Sequence, residues 1–132
     1  MTESDTDRVE RGRALSDQIS PGAVDALFRQ LNGVVPDFDR LALGSVMADI
    51  WGREQLSMRE RSIVRLAVLA ATVQPESASR TAIRTALHLG LSQQDIAEVF
   101  VQTIPQVGLI RVIAALEMLS RYLDSGQAEQ AS

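Results

Sequence analysis

The chain has 132 residues, no cysteine, and 13 basic against 17 acidic side chains, for a net charge of −4. That length suits one domain with a buried core and needs no staples. The missing thiols exclude disulfides, thiolate metal sites and cysteine nucleophiles, and the acidic balance excludes the positive field of a dedicated nucleic-acid binder. Hydrophobic residues reach 45% while aromatics are only 4%, and the Ala, Leu, Val and Ile behind that figure suit packed helices.

Residues 1–6 are expected to be flexible, 7–123 to form a single helical domain, and the polar tail DSGQAEQAS at 124–132 to be disordered. A polar first helix is predicted over Asp7 to Gln18, with Val9, Leu15 and Ile19 as its apolar contacts. Ser20 and Pro21 read as N-cap and first residue of a second helix to Leu31, whose Val24, Leu27, Phe28 and Leu31 share a face. Pro36 opens a third, ending at Trp51 and Gly52. Ser57 and Glu60 fit a capping box for the fourth, which runs to Thr72. Pro75 begins the fifth, and Gly90 stands where a left-handed C-cap belongs. Ser92 and Asp95 start the sixth, with Ile96, Val99, Phe100 and Thr103 on its buried face. Pro105 begins or kinks the last helix, which is apolar almost all round from Val107 to Leu119 and so is central or covered by another subunit. The fold class is therefore all-α, a compact bundle of about six or seven helices. No apolar run approaches membrane-spanning length, and Met1 to Arg13 is too charged for a secretory signal. A cytoplasmic protein with no membrane partner is expected.

Charged side chains inside apolar helices are the candidates for function. Arg65 lies in SIVRLAVLAA, Arg84 in TAIRTAL and Arg111 in GLIRVIAAL. A buried guanidinium must be paired, whether by an internal carboxylate such as Glu117, by a neighbouring subunit, or by an anionic ligand that its planar fork fits. His88, the single imidazole, sits two residues before Gly90, where a histidine caps helix carbonyls. Asp37 and Asp39 read as first-turn charges, and Asp95 and Glu98 as a solvated edge. No phosphate loop, nucleophile elbow or zinc motif is present.

From Phe38 to Leu119 the chain resembles the carboxymuconolactone decarboxylase family, more weakly at ERGRALSDQI near the N-terminus. The resemblance rests on an ordered series: Gly44, then LSMRERSIVRLAVLAA at Leu56 to Ala71, IRTALHLGLSQQDIAEVFVQ at Ile83 to Gln102, and Gly108, Arg111 and Ala114-Ala115-Leu116. It implies an alkylhydroperoxidase D-like helical bundle assembled as a homo-oligomeric trimer or hexamer. It also implies a cofactor-independent lyase that removes a carboxyl group from an unsaturated lactone and reprotonates the dienolate. The peroxide- and disulfide-reducing branch needs a C-x-x-C pair, and the matching segment here reads TVQPESAS. The decarboxylase branch carries a histidine where Ala82 stands, and alanine moves no proton. Arg61, Arg84, His88 and Arg111 are the expected catalytic residues, with the three arginines orienting a small anionic or enolic metabolite and His88 or Glu117 replacing the proton carrier. Arg84 and Arg111 are expected to share a pocket. The competing reading is a catalytically degenerate oligomer that binds a ligand or a partner protein.

Overall fold

The computed structural model describes residues 2–22, 25–72 and 74–126. Among them every regular element is helical. The chain divides into two compact units, Met1–Gln55 and Leu56–Ser132. Of the tail expected to be disordered, residues 127–132 lie outside the described residues, while Asp124 closes the last helix.

The first unit is built on α1 (Asp5–Ile19), α2 (Asp25–Asn32) and a π-helix (Arg40–Trp51). α1 starts two residues before its expected position because the Ser4 hydroxyl accepts from the Asp7 amide at 3.1 Å, satisfying a donor the helix cannot reach. Its buried side is made of two small residues, Gly12 and Ser16, followed by Ile19. Small residues four apart let a neighbouring backbone come close, and the Leu43 carbonyl of the π-helix lies against Gly12. Ion pairs rim the contact: Arg8 and Arg11 each approach Asp49 at 3.7 Å, and Arg11 also donates to the Ala48 carbonyl at 3.0 Å. Ser20 proves to be the C-cap of α1, its amide bonded to the Ser16 carbonyl at 2.9 Å, and not the N-cap of α2. Pro21 and Gly22 form the turn that follows, with Gly22 at φ +70. The third predicted helix is present, but its Arg40–Trp51 stretch is a π-helix, with the wider i to i+5 ladder in place of the α-helical one. A period of 3.6 in the apolar pattern does not anticipate that widening.

The second unit comprises α3 (Met58–Ala71), α4 (Glu76–His88), α5 (Gln93–Gln102), the single turn α6 (Ile104–Val107) and α7 (Leu109–Asp124). α3 packs against α4, α5 and α7 around a core that includes Leu66, Ile83, Ile96, Phe100, Val112 and Tyr122. The capping box expected of Ser57 and Glu60 forms, and Ser92, expected as an N-cap with Asp95 in the first turn, closes a second box with Asp95. The Ser57 amide donates to Glu60 at 2.9 Å and holds its carboxyl below the ordinary value; the Ser92 amide does the same to Asp95. The last helix begins later than Pro105 suggests, because Gly108 at φ +92 breaks the chain between α6 and α7.

Gly90 has φ +98 just past the end of α4. A side chain there would meet no atom within 4 Å, so the penalty for adding one comes from the backbone alone. Gly90→Val is expected to lower stability by about 1–3 kcal/mol, read as a reduced urea midpoint at unchanged m-value. An unchanged midpoint would remove the C-cap assignment.

Candidate functional site

α7 presents two different sides. Val112, Ala115, Met118, Leu119 and Tyr122 are buried. Arg111, Ala114 and Arg121 are exposed, and with Ala115 and Met118 they fall at positions three and four apart, so they line up along the helix. Leu69 and Ala70 at the end of α3, Thr72 and Gln74 in the connection, and Glu76 and Ser79 at the start of α4 complete a groove of about 280 Å³. Its floor is apolar, and two cations stand on its α7 wall. Ten residues separate those arginines, so they sit roughly 15 Å apart along the axis.

Neither Arg111 nor Arg121 has a hydrogen-bond or ion-pair partner among the described residues, and Glu117 does not neutralise Arg111. Among the described residues Glu76 is the single carboxylate lining the groove. It pairs with Arg80 at 3.5 Å, and Arg80 in turn lies over the Tyr122 ring, 6.0 Å from its centroid. The groove can therefore attract an anion with an apolar body and hold it by a guanidinium fork, with the Arg80-paired Glu76 on its wall.

The four expected catalytic residues do not converge here. Arg111 lines the groove; Arg61, Arg84 and His88 do not. Arg61, in the first turn of α3, donates from Nε to the Leu56 carbonyl at 2.7 Å and closes the turn before the helix. Arg84 acts on Tyr122, whose phenol burial pushes up and the Arg84 and Arg80 charges pull down. Tyr122 is eleven residues beyond Arg111 on α7, and Arg84 is not among the residues that line the groove with Arg111. His88 is exposed as the last residue of α4. Ala82 is 1% exposed inside the core, so its position is filled by a packed methyl rather than by a proton carrier. Arg121 and Glu76 were missed by the sequence reading. The i, i+3, i+4, i+7, i+10 spacing from Arg111 carries the signal for Arg121, whereas nothing local to Glu76 announces its place in the groove.

Such a helical unit, with a groove beside its last helix, belongs among small all-α domains. The carboxymuconolactone decarboxylase family model matches residues 36–121, about two-thirds of the chain, and the chain belongs to that family. A search of curated proteins gave no match. Among the described residues no helix is long and apolar enough to cross a membrane.

Proposed function

We propose that this chain is a divergent, cofactor-independent decarboxylase-like lyase of the cytoplasm, working as a homo-oligomer on a small carboxylated or enolic metabolite. The observation that carries the reading is the groove itself, an apolar floor beside the unpaired Arg111 and Arg121. A ligand carboxylate meets the Arg111 fork. The bond from that substrate's second, leaving carboxylate to carbon breaks, its electron pair enters the unsaturated ring as a dienolate, and carbon dioxide departs. A water molecule held by the Glu76 carboxylate gives its proton to the dienolate carbon, and the hydroxide that remains is taken up by the released carbon dioxide as bicarbonate. The cations stabilise the charge that develops on the enolate oxygen.

The second reading, a ligand-binding module without turnover, draws support from Ala82, which fills the expected histidine position with a core methyl. Glu76→Gln tests the choice. Turnover of unsaturated carboxylated lactones, followed by loss of ring absorbance, is expected to fall at least a hundredfold while ligand affinity is kept. Unaltered turnover would remove Glu76 from the chemistry. Binding without turnover in the unmodified chain would establish the module reading.

A further inference from the structure

Two exposed stripes in the second unit are complementary. On α3, Val64 and Val68 are about half exposed and flank Arg65. Burial depresses the Arg65 pKa with no carboxylate to offset it, and no hydrogen bond or ion pair reaches it among the described residues. A desolvated guanidinium without a counter-charge is costly to the fold. On α7, Ile110 is 81% exposed and Ile113 39%, and Glu117, one turn further on, is likewise exposed and unpaired. Each stripe has two β-branched residues and one uncompensated charge, of opposite sign. In a chain of net charge −4, copies associate only where such local complementarity outweighs general repulsion.

We propose that the α3 stripe of one copy packs on the α7 stripe of a second, with Arg65 of the first pairing with Glu117 of the second. The two surfaces differ, so the contact is heterologous and closes into a ring when the rotation allows. Every copy then contributes one stripe of each kind. Ile110 and Ile113 bracket Arg111 in sequence, and Ala114 is both exposed and part of the groove. The incoming α3 therefore borders the groove mouth and shields Arg111 from water, which strengthens its hold on an anion. The inference rests on the proposed self-association and assigns its faces.

Charge exchange tests it, read by sedimentation equilibrium with circular dichroism as the check on folding. Glu117→Arg, on an exposed site, is expected to keep its helicity and to raise the oligomer dissociation constant about tenfold or more. Arg65→Glu is expected to do the same, and the double variant to restore association to near the original value. The cysteine-free chain adds a second readout that needs no charge reversal. Arg65→Cys and Glu117→Cys chains, mixed and treated with a short bis-maleimide, are expected to give heterodimers joining the two positions, with neither chain cross-linking to itself. Oligomers indifferent to the exchange, and mixtures that do not cross-link, would overturn the face assignment and leave self-association standing. A monomer at all concentrations would overturn both.

Discussion

Gly12→Ala is expected to unfold the α1–π-helix pair, although the same change in an ordinary helix interior would add stability. Alanine normally gains about 1 kcal/mol over glycine in such a place. At Gly12 the new Cβ would press on the Leu43 backbone, 2.6 Å from the carbonyl carbon and closer still to its oxygen. Neither atom can rotate away, since both belong to the π-helix main chain. The helices must separate, and Ile19, Leu43 and Ala48, each at most 3% exposed, lose part of their cover. A net loss of about 3 kcal/mol or more follows. Hydrogen exchange would show it as rapid exchange of amides in residues 5–19 and 40–51, with those of α3 to α7 far less affected. Retained protection there would contradict the close approach on which the first unit is built.

Arg111→Met has its large effect on the ligand rather than on the fold. Methionine keeps much of the apolar stem and removes the donor fork. Arg111 is exposed and has no partner among the described residues, so the melting temperature is expected to stay within about a degree. Affinity for a carboxylated ligand should fall by about 2–5 kcal/mol, as when one member of a desolvated charge pair is deleted. Arg84→Met serves as the contrast. Its charge acts on Tyr122 and not on the groove, so affinity should be kept. Calorimetry on both variants separates a ligand anchor from an internal one, and equal losses would mean that the two arginines act on a single site after all.

What could be read from the sequence was local. A capping box needs only a serine and an acid three residues apart; the one expected at Ser57 and Glu60 formed, and the N-cap expected at Ser92 proves to be a box with Asp95 as well. Gly90 was legible for the same reason, since a glycine after a helical apolar pattern has few other uses. Ser20 was misread because serine before proline fits a helix start, and only the tertiary course of α1 shows that its amide closes the preceding helix. The π-helix was hidden because the apolar series from Leu41 to Ile50 announces a helix without revealing which hydrogen-bond ladder carries it, and Leu41, Val46 and Ile50 prove exposed while Leu43, Gly44 and Ala48 are buried.

The site was legible in kind but not in membership. Arginines within apolar helices pointed to an anion, and Arg111 does line a groove. Their heights along the bundle were invisible, however, and height is what separates Arg84 beside Tyr122 from Arg111 in the first turn of α7. Arg121 stands beyond the apolar span Val107 to Leu119, though helical spacing puts it on the same wall. Glu76 enters the groove through the fold of the α3–α4 connection, a long-range consequence with no sequence mark.

The most direct measurement is a crystal structure of the chain grown with a carboxylated unsaturated lactone at saturating concentration. The account requires the lactone in the groove between α7 and the start of α4, with a carboxylate oxygen within hydrogen-bond reach of Arg111 and the ring on Ala115 and Met118. A lactone bound instead beside Arg61, Arg84 or His88, or a groove left empty at saturation, would contradict it.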